Sequence, residues 1–168
     1  NSTAGLNGQL IIGTGNWHVF NFNFVNDEIS FHAQYGSFGA GQAVYSNLLN
    51  GRNSAGIFAR ITSVGILPNS VNDIAITVQP GAPIDPISGL PVPTIAAATS
   101  GGISLINNDG VVVNYTNTQD SSTFNFCDNV FFRGDGAMVW QADSSGNTAA
   151  ERFTRVVHAP QKSGSFTE

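Results

Sequence analysis

Charge is what this sequence has least of. Of its 168 residues only 10% are Asp, Glu, Lys or Arg, against roughly 25% in an ordinary globular chain. Lys162 is the single lysine beside five arginines, and nowhere do these six cations cluster. A nucleic-acid groove needs several Lys or Arg side chains to displace phosphate counterions. With a net charge of −5, no nucleic-acid partner is expected. No apolar run reaches the roughly 18 residues that mark a spanning helix, so no membrane insertion is expected. Cysteine is as scarce: Cys127 stands alone, which excludes an intramolecular disulfide. Its neighbours Phe124, Phe126 and Val130 point to a small buried thiol. A reactive thiolate would need a nearby His or cation, and the local sequence supplies neither.

Motifs of catalysis are missing too. There is no G-x-S-x-G elbow, no H-E-x-x-H or C-x-x-C frame, and no glycine loop leading into a helix. No enzyme activity and no cofactor are expected. The opening Asn1-Ser2-Thr3 has neither Met nor the character of a signal peptide, and reads as a mature form or a fragment of a longer chain.

What is present is β structure. Hydrophobic residues make up 41% of the chain and include 12 Phe, enough for a core and unlike a disordered chain. Surface polarity falls to Asn, Ser, Thr, Gln and 19 glycines, a composition that suits short strands joined by tight turns in virion or extracellular proteins. From Gln9 the pattern has period two. Trp17 to Val25 alternates Phe20, Phe22 and Phe24 with Asn21 and Asn23; Asn26-Asp27 turns the chain, and Ile29, Phe31, Ala33 and Tyr35 resume the alternation. This predicts a hairpin over residues 17–35. Residues 42–49 are ambiguous, Ile57–Val64 and Ile74–Val78 read as strands, and Asn69–Asp73 reads as the turn between them.

Five of the seven prolines fall in residues 79–93. Proline cannot donate to a central ladder, so this stretch is expected to be a linker or surface crossing. It divides a sandwich- or jelly-roll-like segment (1–78) from a β-meander (94–168), unless both belong to one continuous domain. In the meander Asp109-Gly110 and Asp135-Gly136 each lie between β-type runs, and both turn residues are expected to take positive φ. Their 26-residue spacing allows a propeller-like repeat. The only helical candidate is a single turn near Thr148–Phe153. The predicted class is all-β and antiparallel.

Polar residues each have a plain explanation. Asp27-Glu28, the only adjacent acidic pair, belongs to a turn. His18 and His32 face each other across the first hairpin in one reading, but no third metal ligand accompanies them, and no metal site is expected. Asn107–Gly110 and Asp143–Asn147 lack the calcium-loop pattern. Arg133-Gly134-Asp135 matches an integrin-recognition tripeptide, although its Asp is already demanded by the turn. Asn1-Ser2-Thr3 and Asn114-Tyr115-Thr116 fit the glycosylation pattern. Trp17, Trp140, Tyr35, Tyr45 and Tyr115 form the best small-ligand candidate, an aromatic platform for sugar stacking; both tryptophans also fit core strands.

The run from Asp73 to Thr116 resembles a segment of bacteriophage virion structural proteins. Its core, T-I-A-A-A-T-S-G-G-I-S-L-I-N-N-D-G over Thr94–Gly110, has the form found in their propeller-like strands after a lectin-type β-sandwich. The resemblance covers about a quarter of the chain and transfers no binding residues. It implies a tail, fibre or capsid-associated role through protein–protein assembly, as a homo-oligomer or with other virion subunits. A carbohydrate-binding module and an extracellular filament subunit joined by an N-terminal donor strand are the alternatives.

Overall fold

A computed structural model describes residues 2–15, 18–33, 42–46, 59–61, 65–67, 70–116, 126–143 and 153–157; for 42–46, 59–61, 142–143 and 153–157 it describes the backbone alone. The chain is all-β and antiparallel, with no helix among the described residues.

Asn7 and Gly8 both adopt positive φ, 51° and 73°. That is the two-residue hairpin backbone whose twist matches the strands on either side. It closes β1 (Ser2–Leu6) onto β2 (Gln9–Gly13), with Leu6 opposite Gln9. The expected first hairpin follows as β3 (His18–Asn23) and β4 (Glu28–Ala33). With β5 (Gln42–Ser46) and β6 (Ala59–Ile61) they form a six-stranded sheet in sequence order. Alternation sends Ile11 and Val19 to its buried face, while Ile12, Phe20, Phe22 and Phe31 share the half-exposed outer face.

The second sheet has the order β10-β9-β8-β7, built from β7 (Val71–Thr77), β8 (Thr94–Thr99), β9 (Gly102–Ile106) and β10 (Val112–Tyr115). All residues of β8 are buried, because this sheet is covered on both faces. Ile95 and Ala97 pack with Ile74, Ile106, Val112 and, from the first sheet, Ile11 and Val19. Ala96 and Ala98 point the other way, toward Cys127, Val130, Met138 and Trp140. Those belong to a three-stranded sheet of β11 (Phe126–Phe132), β12 (Met138–Asp143) and β13 (Phe153–Val157). Every sheet is thus an up-and-down meander of consecutive strands, and no crossing of jelly-roll type joins the described ones. The two Asp-Gly hairpins, β9–β10 and β11–β12, lie in different sheets.

Several expectations need correction. Residues Val71–Asp73 are not a turn but the start of β7, where a bulge between Val71 and Asp73 shifts the register. The bulge frees side chains that tie the layers together. Asn72 donates to the Cys127 carbonyl at 2.8 Å, and Asp73 accepts from Ser2 Oγ at 2.8 Å and from the Val130 N–H at 3.1 Å. The Asp-Gly turns also differ in detail. Only Gly110 and Gly136 take positive φ, at 81° and 82°. Gly110 N–H donates to the Asn107 carbonyl and Gly136 N–H to that of Arg133, both at 2.9 Å. This is a type I turn followed by a left-handed glycine. The aspartates do not take positive φ, and their carboxylates accept the Val111 and Ala137 N–H groups at 2.9 and 3.1 Å.

Residues 79–93 do not separate one sheet from another. They connect β7 to β8, which pair with each other, so the stretches before and after them share the central sheet. Gln79 to Ala82 closes a turn with Gly81 at φ 76°, and beyond it Ile84 bridges to Pro91. Asp85 N–H donates to Leu90 and Val92 N–H to Pro83, at 2.9 and 2.8 Å. The prolines fit because this is a small two-stranded excursion, whose ladder has few donors to lose. The single-turn helix candidate lies outside the described residues except for Phe153, which opens β13.

A candidate interaction tip

The sequence-predicted aromatic platform is not assembled by the described residues. Tyr115 and Trp140 are core residues, 5% and 6% exposed, with ring centroids 6.2 Å apart and planes inclined by 32°. Both lie between the central and three-stranded sheets, where no sugar can reach their faces. Burial also raises the Tyr115 phenol above its ordinary pKa. Tyr45 occupies the β5 position opposite Ile29. Trp17 and Tyr35 lie outside the described residues.

The two hairpin histidines do not face one another. His18 pairs with Ala33 and His32 with Val19. Pleating therefore puts the imidazoles on opposite faces of the sheet. His18 joins an outer aromatic row, 5.9 Å from Phe20 and 6.2 Å from Phe31. His32 is buried, its Nδ1 has no hydrogen-bond partner among the described residues, and burial holds its pKa down to about 4. Among the described residues no group of three His, Cys, Asp or Glu side chains is placed to hold a metal ion.

Other candidates take structural roles. The Cys127 thiol is pushed up to about 12, first by burial and then by the neighbouring Asp128 charge. Arg133 and Asp135 pair with each other at 2.7 Å in an exposed ion pair on their own turn. Asn114 donates to the Gly65 carbonyl at 2.9 Å and accepts from Ser104 Oγ at 2.7 Å. The amide nitrogen that a glycan would need is engaged in clamping residues 65–67 onto the central sheet.

What the structure does bring together is an apolar end made of three turns. The Asn23 carboxamide oxygen accepts the N–H groups of Val25 and Asn26, both at 3.1 Å, fixing the turn between β3 and β4. Phe24 N–H donates to the Gly8 carbonyl at 3.0 Å. Val25 sits against Gly8 where a Cβ would otherwise stand, so glycine is required there for space as well as for φ. Asn7 donates to the Pro91 carbonyl at 2.9 Å, and Asn26 to the Asp85 carboxylate at 2.8 Å. The first two turns are thereby tied to the proline-rich excursion. Asp85 in turn organises its own loop, accepting from Ser88 Oγ at 2.7 Å and from Ile87 N–H at 3.1 Å. Hydrogen bonds from Ser88, Asn26 and Ile87 hold its pKa down to about 2.

On this fixed frame stand the most exposed large apolar side chains of the described residues: Ile87 at 72%, Phe24 at 69% and Ile84 at 59%, with Val25 and Leu90 beside them in sequence. Asp27 and Glu28 flank them. The Glu28 carboxyl is raised above its ordinary pKa, by burial first and then by the Asp85 charge. Sequence reading missed this site because its components lie about sixty positions apart. The available signal was three large aliphatic residues, Ile84, Ile87 and Leu90, in a stretch already expected at the surface. No helix among the described residues is long and apolar enough to cross a membrane. Comparison with protein-family models, curated proteins and solved structures returned no match.

Proposed function

We propose that this chain is a structural or attachment component of a phage-like virion, acting through protein–protein assembly with the three-turn tip as a contact surface. The observation that carries the reading is the exposure of Phe24, Ile84 and Ile87 on turns pinned by side-chain hydrogen bonds. Turns already fixed by hydrogen bonds lose little further backbone entropy when a partner covers the side chains they carry. Large exposed apolar side chains on turns tied to one another are the kind of surface that interaction sites use. The resemblance of Asp73–Thr116 to virion proteins and the sparsely charged surface support the same reading and a virion or extracellular location. The carbohydrate-binding alternative is weakened by the placement of Tyr115 and Trp140 in the core.

Sedimentation velocity over a wide concentration range tests the proposal, with the chain alone and with candidate particle proteins. A complex formed by the parent chain is expected to be lost in the Phe24→Ser/Ile87→Ser variant. Complexes that form equally well with that variant would remove the tip from the account.

A further inference from the structure

Asn7 and Gly8 form one of the two Asn-Gly pairs in the sequence, Asn50-Gly51 being the other. An Asn-Gly pair carries its own reagent. Glycine has no Cβ to shield its backbone nitrogen, and that nitrogen can attack the carboxamide carbon of the asparagine before it. The Gly8 nitrogen gives up its proton and bonds to Asn7 Cγ, while the Cγ–Nδ2 bond breaks and ammonia leaves with that proton. Water then opens the five-membered imide at either carbonyl. The product is aspartate or, where the chain is rerouted through the side chain, isoaspartate.

The fold holds the two reacting atoms apart. Asn7 and Gly8 take positive φ, 51° and 73°, in the two-residue turn between Leu6 and Gln9. In a turn of this kind ψ of the first residue is about +30°, which sets the next nitrogen on the far side of the Cα–C bond from Cβ. Ring closure needs the opposite arrangement, so the turn must open to react. Two bonds from the neighbouring turns oppose that opening. Asn7 Nδ2 donates to the Pro91 carbonyl at 2.9 Å, and the Gly8 carbonyl accepts the Phe24 N–H at 3.0 Å. The amide that the reaction removes is therefore the one that ties the β1–β2 turn to the proline-rich excursion. We infer that Asn7 is a self-modifying site, guarded while the three turns are joined and converted once they part, and that conversion makes the parting permanent. The new carboxylate has no proton to give to Pro91 and sets a negative charge against its carbonyl oxygen. Isoaspartate also adds a backbone atom to a turn built for two residues.

The test follows the full chain in mildly alkaline buffer, with and without denaturing urea. Peptide mass spectrometry places each amide-to-acid conversion and separates isoaspartate from aspartate. In urea Asn7 and Asn50 are expected to convert at similar rates. In native buffer Asn7 is expected to convert about 10-fold or more slowly than in urea. Asn26→Ala removes the tie to Asp85 and is expected to speed native conversion of Asn7 about 3-fold while leaving the urea rate unchanged. Asn7→Asp stands in for the product. It is expected to speed hydrogen exchange of the Asp85 and Val92 N–H groups, which close the excursion, about 3-fold or more while β8 keeps its protection. Equal rates in native buffer and urea, or no conversion in urea, overturn the site. Unchanged exchange in Asn7→Asp, or no faster conversion in Asn26→Ala, overturns its link to the joined turns. Should either variant lose β8 protection, the parent in sub-denaturing urea decides. Asn7 conversion is then expected to rise before β8 exchange does, and a rise only in step with β8 overturns the guard.

Discussion

Ser2 and Asp73, 71 positions apart in sequence, are joined by a 2.8 Å hydrogen bond from hydroxyl to carboxylate. The same hydroxyl accepts the Ile74 N–H at 3.2 Å, and the second carboxylate oxygen accepts the Val130 N–H at 3.1 Å. One side chain at a bulge thus touches all three sheets. It also satisfies donors on an edge strand that would otherwise invite another strand. Asp73→Ala leaves the Val130 N–H without its acceptor, and the expected loss is about 2–3 kcal/mol for a hydrogen bond to a charged group. Ser2→Ala removes the bond to Asp73 and the longer one from the Ile74 N–H but leaves the Val130 N–H its carboxylate acceptor, and is expected to cost less, about 1–2 kcal/mol. Urea unfolding of the two variants checks the order.

His32 makes stability depend on pH. Its folded-state pKa is about 4 and its ordinary value 6.5, so between these limits the unfolded chain binds a proton that the folded chain refuses. Stability is therefore full above pH 6.5 and falls as pH drops toward 4, by about 3 kcal/mol for a shift of this size. His32→Leu is expected to flatten that stretch of the profile. Carboxylates titrate near the lower end, so the measurement is the difference between parent and variant in urea midpoints at pH 7 and 5. Parallel profiles would show that His32 is not the source.

Cys127 is 2% exposed, and its thiol is pushed up to about 12. The folded chain is expected to resist a thiol-specific disulfide reagent at pH 8 and to react fully in denaturant. Reaction in native buffer is expected to follow opening of the layer that holds Val130, Met138 and Trp140, so its rate reports that opening. Trp140→Ala removes a large side chain from the same layer and is expected to cost about 3–5 kcal/mol and to speed the labelling. A solvent-facing tryptophan would show neither effect.

How far the sequence reveals this fold depends on how local the cause is. The β3–β4 pairing is legible because period two runs through Phe20, Asn21, Phe22 and Asn23. Which face is buried is not: the phenylalanines lie on the half-exposed outer face, and Asn21 stands opposite Ile11 and Ser30 on the buried one. In β8, Thr94–Thr99, burial on both faces erases the alternation, so a strand can be read but not its central place. Asn7-Gly8 carries a full hairpin signal, yet Ser2 to Gly5 are too small and polar to announce the strand that precedes it. Tyr115 and Trp140 fit both a platform and a core, because an aromatic on a strand looks the same until the facing sheet is known. The tip is hidden for a different reason. Asn26 and Asp85 meet only once β7 and β8 have paired, and no periodicity records a contact at that range.

Gly8 sets the geometry on which the tip depends, by two separable effects. Its φ of 73° disfavours any side chain, a cost of about 1–2 kcal/mol for a non-glycine residue. The space beside it is filled by a methyl of the Val25 side chain, so a Cβ at position 8 must displace that side chain. Gly8→Ala is expected to lose about 2–3 kcal/mol, both effects together. In Gly8→Ala/Val25→Ala the clash is removed and only the backbone cost stays. The double variant is then expected to be more stable than the sum of the single changes by about 1 kcal/mol, a coupling that residues without shared contacts do not show. The same cycle followed through binding at Phe24 would show how closely the frame controls the tip, since Phe24 N–H donates to the Gly8 carbonyl at 3.0 Å. Strict additivity in both measurements would mean that Val25 does not rest on Gly8 in solution.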